Sequence, residues 1–366
     1  LAPLIETKPY ENDLLNLMID SKKIWDDFLK KNFKDEIGLK KNSSLLVSIN
    51  EDEQESILFK KKFLEKLGFF PKFLSHNETL SIEPNLNSNV RSSIFLENNN
   101  QVEPPLLKKF LLDQIKEKKG ELIFLKKIEK INFSSNNLYV NERKYFAEKI
   151  VISCGAWSND LLKESFNVEF PMRPIKGASM LIKSKEKLFT NNIWFKNIYL
   201  APRINNNIAI GATEDEKGFE SSVMLDEIFF LSSKLWEYMP ELEKLEFKNI
   251  KAGIRSNVID GKPIIGSLKC NKDILCSFGH YRNGILLAPI SAEIISNYVL
   301  KKKLATNIFF FHLKDLIYKF LVYHLKMKNL KKKYLVNGEN FICELKEPYL
   351  EELIRIFLKK SILKEP

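Results

Sequence analysis

Apolar residues recur at helical spacing near the start of the chain. Over residues 12–32 they form one stripe, which predicts an amphipathic helix. The stripe consists of Leu14, Leu17, Met18, Ile24, Trp25, Phe28 and Leu29. Similar spacing predicts helices over 51–68, 104–118 and 222–239, and Gly68 and Gly120 are suitable stops for the first two.

Short apolar or alternating runs between polar turns predict β-strands. These runs cover 44–49, 122–125, 128–133, 138–140, 149–153, 180–182, 198–201, 208–212 and 274–278. The runs between 120 and 153 predict a small sheet, and those between 180 and 212 predict a second, antiparallel sheet. Helices and strands interleave along the chain, so the pattern indicates an α/β (α+β) fold.

The segment 279–289, Gly-His-Tyr-Arg-Asn-Gly-Ile-Leu-Leu-Ala-Pro, follows the strand predicted at 274–278. Gly279 and Gly284 allow a ligand to approach the backbone closely. A helix is expected to begin near Ala288, with Pro289 in its first turn and its partial positive end facing the same place. The segment is therefore interpreted as a ligand cradle, although an ordinary strand-to-helix connection is also compatible with the spacing.

Composition favours a globular protein with a large core. The 366 residues are 44% hydrophobic and 29% charged. The net charge of +11 arises mainly in residues 301–366, which hold 15 basic and 7 acidic residues and leave +3 for the rest. Because no basic patch interleaved with aromatic residues occurs before residue 301, nucleic acid is not expected as a partner.

The cysteines and the apolar tail bear on where the protein resides. Four scattered cysteines form neither a metal motif nor a disulfide framework, and no signal peptide is recognised, which favours a cytoplasmic protein. The apolar stretch 308–325 is interrupted by Lys314, Asp315 and Lys319, so no membrane span is expected. It is interpreted as an amphipathic helix packed on the body, with a membrane-surface helix as the alternative.

Several other motifs stand at characteristic spacing upstream of residue 279. They are Gln-Val-Glu-Pro at 101–104, Val-Ile-Ser-Cys-Gly-Ala-Trp-Ser at 151–158, Arg-Pro-Ile-Lys-Gly at 173–177, Tyr-Leu-Ala-Pro-Arg at 199–203, Ala-Gly-Ile-Arg at 252–255 and Asp-Gly-Lys-Pro-Ile-Ile-Gly at 260–266. Together with 279–289, this order resembles the glycine oxidases of the flavin-dependent D-amino-acid oxidase family, from residue 1 to about residue 305. The resemblance implies an incomplete Rossmann-like FAD-binding domain intertwined with an antiparallel-sheet substrate domain.

The Gly-x-Gly-x-x-Gly turn that such enzymes use for the FAD pyrophosphate does not occur in the sequence. Residues 1–4, Leu-Ala-Pro-Leu, resemble the family segment that follows the second strand of the nucleotide fold. We therefore expect an amino-terminally truncated chain that binds FAD weakly or not at all.

Arginine is the residue best suited to bind an amino-acid carboxylate, because its planar guanidinium donates two parallel hydrogen bonds. From spacing alone, surface ion pairs are the favoured interpretation of Arg255 and Arg282. The resemblance implies that Arg255, Arg282 and Tyr199 bind the substrate. It also implies a cofactor-binding set consisting of Ile128, Gly155, Ala156, Gly279, His280, Tyr281, Arg282, Asn283, Gly284, Ile285 and Leu286.

The implied reaction is the FAD-dependent oxidation of glycine to an imine and glyoxylate, with oxygen reduced to hydrogen peroxide. No catalytic acid or base and no metal is expected, and His280 is interpreted as part of the loop beside the flavin or as a structural residue. Two departures bear on substrate choice, since Ser256 and Ala178 replace a proline and a glutamine that are common in the family. The alternatives are an oxidase for sarcosine or another D-amino acid, and a non-catalytic remnant.

The carboxyl-terminal residues form a separate unit in this interpretation. Residues 1–305 are the oxidase body, with its substrate-domain sheet mainly at 41–100 and 167–250, residues 306–330 are a linking helix, and residues 331–366 are a tail. A strand at 334–336, an Asn-Gly turn, a strand at 341–343 and a helix at 349–358 make this tail resemble the start of the β-grasp sulfur carrier used in thiazole formation.

The tail ends in Lys-Glu-Pro rather than the carrier's Gly-Gly, so an unrelated hairpin is the alternative. The carrier resemblance would link the protein to thiamine biosynthesis and to the thiazole synthase machinery. A homo-oligomer is compatible with all of these patterns.

Overall fold

The computed structural model describes residues 1–9, 11–30, 36–125, 127–196, 198–300, 336–337 and 340–341. Helices in these ranges begin and end as follows: α1 (Pro3–Glu6), α2 (Asn12–Leu29), α3 (Glu51–Lys66), α4 (His76–Ile82), α5 (Pro104–Glu117), α6 (Ser158–Phe166), α7 (Leu225–Tyr238) and α8 (Gly284–Val299).

The strands of the described residues are β1 (Ser44–Ser48), β2 (Lys72–Ser75), β3 (Ser92–Leu96), β4 (Ile131–Ser134), β5 (Asn137–Val140), β6 (Arg143–Phe146), β7 (Ile150–Ile152), β8 (Met172–Lys183), β9 (Asn192–Trp194), β10 (Tyr199–Pro202), β11 (Asn207–Gly211), β12 (Glu246–Val258), β13 (Ile264–Ser267), β14 (Ile274–Phe278), β15 (Val336–Asn337) and β16 (Asn340–Phe341).

An eight-stranded sheet in the order β12-β8-β11-β10-β9-β1-β3-β2 dominates the fold. Its neighbours pair antiparallel, except for β1 and β9, which are parallel. Side chains alternate between the two faces of a strand. One face is apolar and packs with α7 into a core that includes Ala178, Met180, Ile193, Leu200, Ile210, Leu231, Leu235 and Tyr238. The other face is thereby left free to carry polar side chains.

A three-stranded sheet in the order β13-β14-β7 lies between helices and supports the 279–289 segment. Strands β7 and β14 are parallel, whereas β13 and β14 are antiparallel. Helix α8 follows β14 and packs on α2, where Leu287 and Ile290 meet Met18 and Trp25 in a second core. The hydroxyl of Ser21 donates to the Leu286 carbonyl at 2.6 Å, so α2 fixes the first turn of α8.

Several element predictions are confirmed closely. Strand β14 begins and ends where the sequence predicts, and α3, α5 and α7 lie within their predicted ranges. The predicted antiparallel sheet is formed by β8, β10 and β11, which belong to the larger eight-stranded sheet. Helix α2 ends at Leu29, and residue 32 lies outside the described residues.

Other element predictions are wrong in informative ways. Residues 122–125 form no strand, because an apolar run forms a strand only where a partner strand is available. The strand predicted at 149–153 pairs with β14 and not with the small sheet β4-β5-β6. Helix α8 begins at Gly284 rather than near Ala288, so Pro289 lies inside the helix.

The chain divides into two units between Leu316 and Ile317. In the second unit, β15 and β16 pair antiparallel in the region where the sequence predicts two strands and a turn, and Asn337, which was predicted for the turn, lies in a strand. The helices predicted at 308–325 and 349–358 lie outside the described residues. No helix in the described part of the chain is long and apolar enough to cross a membrane.

Candidate active site

A cavity of about 280 Å³ lies over the polar face of the eight-stranded sheet. Its lining includes Tyr199, Arg203, Arg255, Gln101, Asn192, Trp194, Glu6, Tyr281, Arg282, Asn283, Ile285 and Leu286. The structure therefore brings together all three residues predicted to bind substrate and five of the residues predicted to bind cofactor.

Strand register explains why Tyr199 and Arg255 share one face of the sheet. Residues paired directly across strands point to the same side. Tyr199 pairs with Gly211, Gly211 with Ser179, and Ser179 with Lys251. Arg255 lies four residues beyond Lys251 and so returns to that side.

Two glycines in neighbouring strands make room for these side chains. A Cβ built on Gly177 would lie 2.0 Å from Nη1 of Arg255, and a Cβ on Gly211 would lie 2.7 Å from the hydroxyl of Tyr199. The guanidinium and the phenol ring are therefore stacked directly on backbone. The Arg-Pro-Ile-Lys-Gly motif has a physical role at its last position, because Gly177 forms the floor under Arg255.

The two arginines have different ionic surroundings. Arg255 Nη1 donates to the Thr213 carbonyl at 3.2 Å, and no carboxylate of the described residues lies within ion-pair distance of its guanidinium. Arg282 is held between Glu6, at 3.5 Å, and Glu214, at 4.0 Å. Arg255 is thus the cation whose charge remains available to an anionic ligand.

The turn between β14 and α8 forms another wall of the cavity. Gly279 has a φ of +82°, and a Cβ there would lie 2.6 Å from Val258 Cγ2, so this position admits only glycine without rearrangement. Tyr281 also adopts a left-handed φ of +51°. Burial, together with the carboxylate of Glu214, raises the pKa of the Tyr281 hydroxyl, which therefore stays protonated at neutral pH.

Ser256 ties this turn to β12. The Gly279 amide donates to the Ser256 hydroxyl at 3.1 Å, and the Tyr281 amide donates to the Ser256 carbonyl at 3.0 Å. The position at which the sequence departs from the family pattern is therefore occupied by a residue that anchors the cavity wall. The departure leaves the carbonyl contact intact and adds a side-chain contact, since proline has no hydroxyl.

His280 lies against helix α8. Its Nε2 lies 2.9 Å from the hydroxyl of Ser291 in α8, and it is not among the residues that line the cavity. Burial lowers the pKa of its imidazole to about 4, so the ring is neutral at physiological pH. The contact with Ser291 joins the turn before α8 to the second turn of that helix.

The remaining predicted cofactor residues do not line the cavity. Gly155 opens a 3-10 turn at Gly155–Trp157 after β7, with a φ of +58° and no heavy atom within 4 Å of a Cβ built on it. Ala156 is buried, and Ile128 is 42% exposed. Gly284 begins α8, whose N-terminal amides receive no side-chain cap. Open space at Gly155 and uncapped amides at α8 fit a bound dinucleotide.

Five of the lining residues named above were not predicted from the sequence, namely Glu6, Gln101, Asn192, Trp194 and Arg203. Gln101 begins the motif at 101–104, and Arg203 ends the motif at 199–203. Asn192 and Trp194 belong to no such motif, and they lie at the cavity because β9 pairs with β10. Three of them keep a buried polar atom without a hydrogen-bond partner among the described residues: Gln101 Oε1, Asn192 Oδ1 and Trp194 Nε1. This part of the sheet wall is therefore polar.

Comparison with known proteins gives the site its family. Glycine oxidase of Pseudomonas putida is 33% identical over 151 residues, which are 41% of each chain. The bifunctional protein ThiO/ThiG of Trichormus variabilis is 32% identical over 45% of this chain and 25% of its own. The chain thus aligns with less than half the length of these curated relatives.

A solved structure resembles the fold more completely. The crystal structure of glycine oxidase from Geobacillus kaustophilus matches with a TM-score of 0.76 at 24% identity, covering 82% of both chains. The family model for FAD dependent oxidoreductases (DAO) matches residues 1–298, which include the whole cavity lining. The chain therefore belongs to the DAO family of FAD-dependent oxidoreductases.

Proposed function

We propose that this protein oxidises glycine, with FAD as the cofactor of its family and oxygen as the final electron acceptor. The observation that supports this most strongly is Arg255, a cation on the cavity wall with no carboxylate partner among the described residues. A guanidinium of this kind pairs with a substrate carboxylate through charge-assisted hydrogen bonds. The relatives named glycine oxidase, and the resemblance of residues 279–289, favour the smallest amino acid.

The protein's own residues bind and orient the substrate. Arg255 would hold the carboxylate, while Tyr199, fixed over Gly211 and against the Trp194 ring at 5.2 Å, would present its hydroxyl to the same substrate. Arg282 is restrained by Glu6 and Glu214, and it connects the turn between β14 and α8 to the part of the cavity proposed to bind the substrate. Alignment of the α-carbon is the main contribution expected from such a site.

The residues near the turn fit FAD and would hold it. Gly279 gives the backbone its close packing, and the uncapped amides of Gly284, Ile285 and Leu286 at the start of α8 are suitable donors to an electron-rich group. When bound, FAD accepts the hydride from the substrate carbon. Overall, glycine, oxygen and water give glyoxylate, ammonia and hydrogen peroxide.

Peroxide release tests the proposal. The chain, supplied with FAD, is assayed with glycine, sarcosine and D-alanine, alongside Arg255→Met and the surface control Arg91→Met, whose guanidinium pairs with Glu51. We expect glycine to be the best substrate and Arg255→Met to lose about 10- to 100-fold in kcat/KM, as removal of a charged hydrogen bond predicts. No peroxide from any of the three amines, in protein whose visible absorption shows bound FAD, would refute an oxidase, and a preference for sarcosine or D-alanine would refute glycine as substrate.

The setting of this activity is also part of the proposal. The similarity to the bifunctional ThiO/ThiG protein supports a link to the thiazole synthase machinery of thiamine biosynthesis. The described cysteines, Cys154, Cys270 and Cys276, carry free thiols, which supports a cytoplasmic location. Cys343 lies outside the described residues.

A further inference from the structure

A buried ion pair lies behind the cavity, on the strand that carries the floor of Arg255. Lys176, in β8, is 0% exposed, and its Nζ lies 2.9 Å from Oε2 of Glu227, which is 2% exposed in the first turn of α7. The ammonium also donates to the Ser222 carbonyl. The proposed reaction uses neither charge.

Stability alone does not account for this pair. Taking two charges out of water costs several kcal/mol per ion, and apolar replacements of such pairs are often neutral or stabilising. The neighbouring positions Ala178 and Met180 of the same strand are apolar and fully compatible with the core. The contacts that Lys176 and Glu227 make with neighbouring residues indicate a role beyond stability.

Thr213 connects the pair to the cavity. Its hydroxyl donates to Oε1 of Glu227 at 3.3 Å and accepts from the Ala178 amide at 2.8 Å. Its own amide donates to the Ala178 carbonyl at 3.1 Å. Thr213 is 6% exposed, so its backbone is held on both sides by buried partners.

The carbonyl of Thr213 is the acceptor for Nη1 of Arg255, at 3.2 Å. A continuous set of contacts thus runs from Lys176 through Glu227 and Thr213 to the guanidinium. Because the charged end of the set is shielded from water, its geometry is less easily disrupted than that of a surface pair.

We propose that Lys176, Glu227 and Thr213 are positioning residues, which fix the Thr213 carbonyl and through it the orientation of Arg255 toward the substrate carboxylate. The inference rests on the proposed function of Arg255. It assigns substrate affinity, rather than the chemical step, to a buried network outside the cavity.

The test separates binding from chemistry in the FAD-loaded protein. Thr213→Val removes the hydroxyl at nearly constant volume, and Thr213→Ser retains it. We expect Thr213→Val to raise the KM for glycine about tenfold while kcat changes less than about twofold, because one oriented hydrogen bond to a charged group is lost. Thr213→Ser should keep KM within about twofold of the wild type. Lys176→Met should resemble Thr213→Val.

A destabilised control distinguishes positioning from general loosening. Leu64→Ala weakens the packing of α3, which carries no member of the network, because Leu64 is buried in a separate apolar core. We expect it to lower the melting temperature and leave KM unchanged. An equal rise in KM for Leu64→Ala and Thr213→Val, or an unchanged KM in Thr213→Val, would overturn the proposal. If Lys176→Met does not fold, the KM values of Thr213→Val and Thr213→Ser still test the proposal.

Acetate binding makes the result independent of turnover. The dissociation constant of acetate, measured by calorimetry, should rise about tenfold in Thr213→Val, as KM does. If glycine is not oxidised but acetate binding still depends on Thr213, only the proposed function fails. Equal acetate affinity in wild type and Thr213→Val would refute the positioning role, whatever the activity.

Discussion

At the scale of single residues, the site depends on the lack of a side chain at two glycines as much as on the side chains proposed to bind the substrate. Arg255 and Tyr199 both lie against glycines, and any side chain at Gly177 or Gly211 would occupy their space. The sequence predicted both arginines and the tyrosine as substrate-binding residues through the family resemblance of the motifs that contain them. It gave no reason for the glycines, since a close approach between strands depends on register.

Substitution of Gly177 by alanine tests this arrangement. The new Cβ would lie 2.2 Å from Cζ of Arg255, so the flexible guanidinium must move. We expect the KM for glycine to rise about 10-fold or more, from loss of roughly 1.5–3 kcal/mol of charged hydrogen bonding. The melting temperature should change little, because a flexible side chain can shift at small cost.

Gly253→Ala is the matched control. Gly253 pairs directly with Gly177 across β8 and β12, yet a Cβ there meets no heavy atom within 4 Å. It should leave KM and melting temperature near wild-type values. Equal KM for the two alanine variants would show that the position of Arg255 does not depend on Gly177.

His280 gives the fold a dependence on pH. Burial lowers the pKa of this imidazole to about 4, from an ordinary 6.5. Between these values the unfolded chain binds more protons than the folded one, so the contribution of His280 to stability is full above about pH 6.5 and is lost as pH falls toward 4. We expect a loss of roughly 2–3 kcal/mol across this window.

Urea denaturation of wild type and His280→Gln at pH 7 and pH 4.5 measures that loss. Glutamine can still hydrogen-bond Ser291 but does not titrate. The variant should lose less stability than the wild type on acidification, by about 2 kcal/mol. Parallel losses in the two proteins would mean that other groups carry the acid sensitivity.

At the scale of elements, prediction succeeded where the pattern is local. Strand β14 is an apolar run between a polar loop and a glycine, and it was placed to the residue. Strand β12 was missed over 13 residues, because its charged first half is exposed and gives no alternation to read. Helix α8 starts earlier than predicted because the second core buries Leu286 and Leu287 against α2. Such tertiary packing overrides the preference of Pro289 for a first turn.

The connection between β12 and the turn before α8 can be tested at Ser256. Ser256→Ala removes the hydroxyl and leaves the buried Gly279 amide without its acceptor, which costs about 1–3 kcal/mol. We expect a lower urea midpoint and weaker FAD binding, since the turn forms the proposed cofactor wall. Ser277→Ala, in the adjacent β14, is the control and should change neither. Unaltered FAD affinity in Ser256→Ala would separate the tether from the cofactor site.

At the scale of the whole molecule, one sheet serves two purposes on its two faces. The apolar face packs with α7, and the polar face carries Arg255, Tyr199 and Trp194 beside the turn before α8. The family fold could be predicted, and the residues proposed to bind substrate could be selected, because the motifs that carry them are distinctive. The places of Asn192 and Trp194 in the cavity could not be predicted, because both residues come from a three-residue strand with no motif of its own.

Because the cavity is formed only when the whole sheet is folded, a ligand bound there raises the free energy of unfolding of the protein. A ligand that binds only the folded state adds RT ln(1 + [L]/Kd), or about 2.7 kcal/mol at 100 times its Kd. For the FAD-loaded protein, acetate should provide this stabilisation through Arg255, measured as a rise in the urea midpoint. Arg255→Met should lose it, whereas Arg91→Met, which removes exposed contacts with Glu51 and Gln54, should retain it. Because acetate has no amine to oxidise, the experiment reads carboxylate recognition apart from catalysis. Equal stabilisation of wild type and Arg255→Met would place the carboxylate on another cation of the cavity, with Arg203 and Arg282 as the candidates.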